Sequence, residues 1–202
     1  MKFKITILKT AAVTFFLSIA LLGQVLAQQP FPPVYPTGSL INFVRTWDAS
    51  APEQDGNVLM NRALRDVKMT TQYIDGLGRP IQTVVKEGSL NTGSSPTDIV
   101  SSIVYDEFGR EKIKYMPFAE PVFNNGLFKT NPFTAQANFY SSQLTGQSGE
   151  TSPVNSPNWA YSLTNFEASP LNRPEKSMSP GASWVGSSRG VEMKYWINTL
   201  DD

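Results

Sequence analysis

The chain contains no cysteine and no histidine. Without thiols there is no disulfide, no thiolate metal site and no cysteine nucleophile. Without imidazole there is no Ser-His-Asp arrangement, no His-ligated zinc and no imidazole proton transfer. No cofactor or metal is expected. Charge is sparse as well: 17 Lys plus Arg balance 17 Asp plus Glu over 202 residues, and no basic run occurs. A nucleic-acid partner normally leaves a basic footprint, so none is expected.

A long apolar run occurs at residues 10–25, "TAAVTFFLSIALLGQV". It follows Lys2, Lys4 and Lys9, and it precedes Val25 and Ala27 at the small-residue positions of a cleavage site. That order is the signature of a secretory signal peptide over residues 1–27. The apolar run is shorter than the roughly 20 residues of a membrane span. Cleavage after Ala27 then leaves no stable membrane span, and the product is exported to the periplasm, cell surface or extracellular space. Removing residues 1–27 takes away three lysines and no acid, which leaves 14 basic against 17 acidic side chains. Roughly 170 residues suffice for one modest domain held by ordinary core burial.

Proline and glycine are plentiful, 15 and 14, and mark many turns. Residues 28–39, "QQPFPPVYPTGS", read as a Pro-rich linker or extended arm. The rest, 40–202, reads as one β-rich module. "LINFVRTWDA" (40–49) has strand composition, while 57–66 is ambiguous, with Val58, Leu59, Arg62 and Ala63 able to share a short helical face. In 66–75, Val67, Met69, Thr71 and Tyr73 alternate with Lys68, Thr70 and Gln72, a period of two that predicts a strand with one drier face. Residues 80–88 answer it. A second pair is expected at 99–108 and 111–118, with Ile113, Tyr115 and Pro117 on one face and Lys112 and Lys114 on the other. Residues 132–144 form the one helix candidate: Pro132 suits a first turn, and Phe133, Ala137, Tyr140 and Leu144 share a face. Further strands are expected at 159–169, 172–181 and 191–199. The fold class is mainly β: about seven strands in antiparallel hairpins and one short helix near 132–144.

Two short stretches repeat. "YIDGLGRPIQTV" carries Tyr73, Asp75, Gly78 and Arg79; "VYDEFGREKIKY" carries Tyr105, Asp106, Gly109 and Arg110. The offset of Asp, Gly and Arg is 31 residues. An Asp can accept from a backbone N–H two residues on, which nucleates a tight turn. The Gly stands where a hairpin loop built on a type I turn requires positive φ. A third copy is suggested at Leu171-Asn172-Arg173-Pro174, echoing Leu77-Gly78-Arg79-Pro80. Asn tolerates positive φ, but the acid is displaced. The Arg and Asp of each unit can pair across their own turn or reach a neighbouring one.

These residues resemble the Tyr-Asp (YD) repeat of the Rhs proteins: a Tyr-Asp pair, two variable residues, then Gly-Arg. "YIDGLGRPIQTV" departs from it by one residue between Tyr73 and Asp75. Together with "TNPFTAQANFY", "NFEASPLNR" and "PGASWVGSSRGVEMKYW", the set is similar to an uncharacterised domain. That domain follows the signal peptide in large secreted Rhs/YD-repeat proteins of Gram-negative bacteria. The resemblance spans roughly residues 38–199. It implies a spiral of β-hairpins closing into a shell around a polymorphic region, often a toxin, with a self-cleaving core segment. The sequence shows only this module and ends at "NTLDD", so no residue here maps onto the self-cleavage site. A truncated frame or a stand-alone starting module is expected. Its partners would be downstream YD-repeat segments or another copy of itself, docking on the edge at 191–199.

An enzyme is not expected. Asp75, Asp106 and Glu107 lie in hairpin turns and Glu167 beside Phe166, each with a local structural or solvent-facing role. The alternative function is a cell-surface or carbohydrate-binding module. Trp159 and Trp184, in Ser/Pro/Gly-rich surroundings, are then the candidate stacking platforms for a glycan. Aromatic residues in small β domains also serve as packing residues, and exposure of the two indoles decides between the roles.

Overall fold

The computed structural model describes residues 32–89, 95–142 and 159–197. The expected signal peptide, Leu144, the loop 145–158 and residues 198–199 of the last expected strand lie outside the described residues. The elements in chain order are β1 (Asn42–Ala49), α1 (Gly56–Asn61), β2 (Val67–Ile74), β3 (Pro80–Val85), β4 (Ile99–Tyr105), β5 (Glu111–Tyr115), β6 (Phe118–Ala119), α2 (Pro132–Ser142), β7 (Tyr161–Phe166), β8 (Pro174–Met178) and β9 (Val191–Glu192). A short 3-10 turn spans Val185–Ser187. The fold is mainly antiparallel β, as its alternating strands and turn residues predicted.

The alternation in β2 does what its period dictates. Val67, Met69, Thr71 and Tyr73 are buried, while Lys68 and Gln72 are exposed. The ambiguous stretch after Asp55 is a short helix, capped by the Asp55 carboxylate accepting from the Asn57 N–H at 2.8 Å. The strands pair in the order β1-β2-β3-β4-β5-β7-β8-β9, with β6 added beside the start of β4. Every pair is antiparallel. Neighbours therefore alternate in direction, and the turns closing β2–β3, β4–β5 and β7–β8 lie at one end of the sheet.

One face of the sheet carries the core. Ile113, Tyr115, Phe133, Trp159, Tyr161, Met178 and Val185 make one cluster. Tyr73, Val84, Val100, Phe118, Tyr140 and Ala160 make another. Helix α2 spans both, with Phe133 in the first and Tyr140 in the second. The residue between them is Gln136, fully buried, and not the half-buried Ala137 that the helical pattern favoured. Gln136 Nε2 donates to Ala160 O at 2.7 Å and to Met116 O at 3.3 Å. The amide adds a second donor to the Ala160 carbonyl, which already accepts from the Met116 N–H at 2.9 Å, and reaches the Met116 carbonyl as well, so it ties together the two segments that flank the helix in sequence.

Two expectations change. Pro117 is exposed and Phe118 is buried in its place, because the chain leaves β5 after Tyr115 and turns to pair β6 with β4. The last strand is shorter than 191–199. Its pairing with β8 ends within a few residues, at Met193 N–H donating to Glu175 O at 2.8 Å. The Arg173 carbonyl, which a longer ladder would offer next, points into its own turn and accepts from the Glu167 N–H.

Gln136→Met keeps the volume and removes the side-chain donor to the Ala160 and Met116 carbonyls. It should lower the free energy of unfolding by about 1–3 kcal/mol, read as a fall in the urea midpoint at constant slope.

Candidate functional site

The feature that the fold assembles with most regularity is the row of turns at one end of the sheet. In the first, Asp75 Oδ1 accepts from the backbone N–H groups of Leu77 and Arg79, each at 2.9 Å. Its Oδ2 accepts from Arg79 Nε at 2.8 Å and Nη2 at 2.7 Å. The Asp75 N–H donates to Arg79 O, and the Gly78 N–H to Asp75 O. The second turn repeats this: Asp106 Oδ1 accepts from Phe108 and Arg110 N–H at 3.0 and 2.9 Å, and Oδ2 from Arg110 Nε at 2.7 Å. Gly78 and Gly109 have φ of 81° and 78°, the left-handed conformation that the loop demands and that glycine adopts without a Cβ penalty. Each turn is followed by a one-residue register shift in its hairpin, the bulge expected of this loop type.

The third turn, Glu167–Arg173, solves the same problem with two residues more. Ser169 begins the tight part: the Asn172 N–H donates to Ser169 O, and the Leu171 N–H to Ser169 Oγ at 3.2 Å. Asn172 has φ of 53° and stands where the glycines stand. Glu167, two residues earlier, supplies the carboxylate, accepting from Arg173 Nε at 3.0 Å and Nη2 at 2.9 Å. The Ser169 hydroxyl donates to Glu167 Oε1 at 2.7 Å and joins the two halves. The work of one aspartate is thus divided between a serine and a glutamate.

The turns are also linked to one another. The register Gln82 opposite Ser102, carried three residues on, sets Arg79 beside Tyr105. Ile113 opposite Leu163 likewise sets Arg110 beside Phe166, and Lys176 opposite Glu192 sets Arg173 beside Tyr195. The guanidinium carbons lie 4.5, 4.7 and 4.5 Å from those ring centroids, cation–π distances. Arg110 Nη1 also donates to Glu167 O at 3.2 Å and Asn172 Oδ1 at 3.3 Å. Tyr105 Oη donates to Pro80 O at 2.9 Å, and Tyr195 Oη to Pro174 O at 3.0 Å. Tyr195 therefore makes with the third turn both contacts that Tyr105 makes with the first.

The carboxylates are held in their charged form. Hydrogen bonds from the Arg79 backbone and side chain keep Asp75 below the usual carboxylate range. Burial opposes this at Asp106, but bonds from Arg110 and the Phe108 N–H outweigh it and the pKa is lowered. The Arg173 side chain, then the Ser169 hydroxyl, bring Glu167 down to about 2.

Asp75, Gly78, Arg79, Tyr105, Asp106, Gly109 and Arg110 come together in this row. Tyr73 does not: it is buried on the core face and donates to Gly126 O at 3.2 Å. One extra residue before Asp75 reverses its strand parity, so Ile74 holds the place of Tyr105. Trp159 is corrected as well. It is 7 % exposed, lies in the core beside Tyr161 and is covered by Gly186, where a Cβ would meet the indole at 3.0 Å. Trp184 is 42 % exposed. The residues that the sequence reading missed are Ser169, Phe166 and Tyr195; the signal for the last was its spacing from β8, which only the strand register reveals. No described helix is long and apolar enough to cross a membrane.

Residues 45–197 match the family described as Domain of unknown function (DUF6443), and the chain belongs to that family. No curated protein and no solved structure matches it.

A carboxylate whose folded pKa is depressed lends stability that is complete above its unfolded value, about 4 to 4.5, and lost as pH falls. The urea midpoint should therefore drop on acidification from pH 5, with the Glu167 contribution fading toward about pH 2. Glu167→Gln should flatten that part of the curve. Arg110→Lys cannot reproduce a planar fork that bonds Asp106, Glu167 and Asn172 while stacking on Phe166. It should cost about 1–2 kcal/mol, nearly as much as Arg110→Ala, in equilibrium unfolding.

Proposed function

We propose that this member of the family is a non-catalytic structural module: the starting unit of a secreted β-hairpin shell of the Rhs/YD-repeat type. Such a shell belongs to polymorphic toxin or cell-surface systems, and the signal peptide delivers the module to the periplasm, cell surface or extracellular space. The observation that carries this reading is Tyr195. It occupies, with ring and hydroxyl alike, the slot that begins a further unit in the row of turns. Beyond it Trp196 and Ile197 are 84 % and 90 % exposed, and among the described residues β9 has a neighbour on one side only. An open edge with an apolar tip is a surface for strand addition. Its partner is a downstream YD-repeat segment, or in isolation another copy of the chain. The three turn carboxylates are each closed by an arginine, which suits scaffolding and leaves them poor general acids or bases.

A second reading, a cell-surface or carbohydrate-binding module, is favoured by one observation: a cleft beside α2 with polar and aromatic walls.

A graft tests the first reading. Replacing everything after Tyr195 with a copy of Asp106–Tyr115 supplies a fourth clasped turn and a strand. The thermal midpoint should rise by about 2–4 °C per kcal/mol gained, and sedimentation velocity should show less self-association than the parent. The same graft with its leading Asp changed to Ala should lose most of the gain. Equal midpoints for both grafts and the parent would remove the basis for an extendable edge.

A further inference from the structure

Between the segment 120–131 and the outer face of α2 lies a cleft of about 490 Å³. Its floor holds a charge imbalance. Asp98 is fully buried and its oxygens are occupied: Oδ1 accepts from the Glu87 N–H, and Oδ2 from the Gly126 N–H and from Lys129 Nζ at 2.8 Å. Lys129 is likewise engaged, donating to Asp98 and to Asn125 Oδ1 at 2.8 Å, with Phe123 over its ammonium. These bonds pin the segment to the end of β3 and the start of β4. Glu120 is the second carboxylate, 7 % exposed and lining the cleft. Among the described residues no side chain donates to it, and the Val122 backbone N–H is the donor beside it. Burial pushes its carboxyl up, with Lys129 opposing and Asp98 adding to the shift.

A carboxylate on a cleft wall with one backbone N–H beside it has acceptor capacity left for a ligand. The surroundings define what fits. Asn131, Thr134 and Asn138 line the cleft and are exposed; they stand at helical spacing on one face of α2 and its leading residue, and they offer both donors and acceptors. Phe123, Leu127 and Phe128 supply apolar wall. A ligand with several hydroxyl donors and a C–H face matches both. An anion is opposed by Glu120, with Asp98 behind it; a small ammonium would pair with Glu120 but leave the apolar wall of Phe123, Leu127 and Phe128 uncovered. We propose that this cleft binds a neutral sugar unit, with Glu120 accepting from its hydroxyls, the Asn131–Thr134–Asn138 row completing the hydrogen bonds, and Phe123 under the ring. The proposal rests on the second functional reading and is independent of the scaffold reading. It also moves the glycan site away from Trp184.

Saturation-transfer NMR on the chain, with methyl glycosides of glucose, galactose, mannose and N-acetylglucosamine, tests it; ethanolamine serves as the ammonium probe. At least one glycoside should receive transfer at its ring protons. Glu120→Gln should weaken that binding about tenfold. Asn138→Ala, on the exposed helix face and harmless to folding, should weaken it several-fold, and Trp184→Ala should leave it unchanged. Binding that survives both cleft variants but is lost with Trp184→Ala overturns the cleft and keeps the carbohydrate reading. Transfer from no glycoside overturns both, and transfer to ethanolamine in preference to every glycoside overturns the ligand class.

Discussion

In the first two turns at this end of the sheet, one aspartate closes the backbone of its own loop and holds an arginine flat; in the third, Ser169 and Glu167 share that work. Held flat, that arginine lies over an aromatic ring of the following strand pair. Neither half is strong alone. An exposed ion pair contributes about 0–1 kcal/mol, and an isolated two-stranded hairpin is marginal in water. The combination differs because the carboxylate also accepts two backbone N–H groups, and the cation has a ring on its open face. Local turn geometry and inter-hairpin packing are thereby set by the same side chains.

The rest of the molecule serves this row from the other side. Helix α2 and the segments flanking it cover one face of the sheet, with Phe133 and Tyr140 reaching the two core clusters and Gln136 tying the chain between them. The Asp98–Lys129 pair anchors the segment that walls the cleft. Scaffold and cleft sit on different parts of one fold and use different residues, so the two functional readings do not compete for the same side chains.

The first two turns were legible because everything that defines them is local: an Asp, a Gly three residues on and an Arg after it determine a loop without help from the fold. The third was half legible. Asn172 and Arg173 could be matched, but a carboxylate two residues further back, relayed through Ser169, follows no fixed spacing. Tyr73 was grouped with the turn by its motif, although its alternation with Val67, Met69 and Thr71 already set it on the drier face; the one extra residue before Asp75 exchanges faces. Trp159 looked exposed from its Ser/Pro-rich neighbours; the lid over it comes from residues 181–187, distant in sequence. Gln136 was overlooked because a helical pattern counts apolar residues, while this position needs an amide. Glu120 and Lys129 gave no local signal at all, since their burial depends on pairing with Asp98 from another loop.

Each arginine leans toward the strand that follows it, and the described turns show no matching reach toward the strand before. The rows overlap like shingles on a roof, every course pinned by the one laid after it. Such a covering has a direction of wear: peeling begins at the last course laid, and what it uncovers is a single bare arginine. The same asymmetry gives growth a starting side, because a new course needs to present only an aromatic ring in the right register to be fastened down.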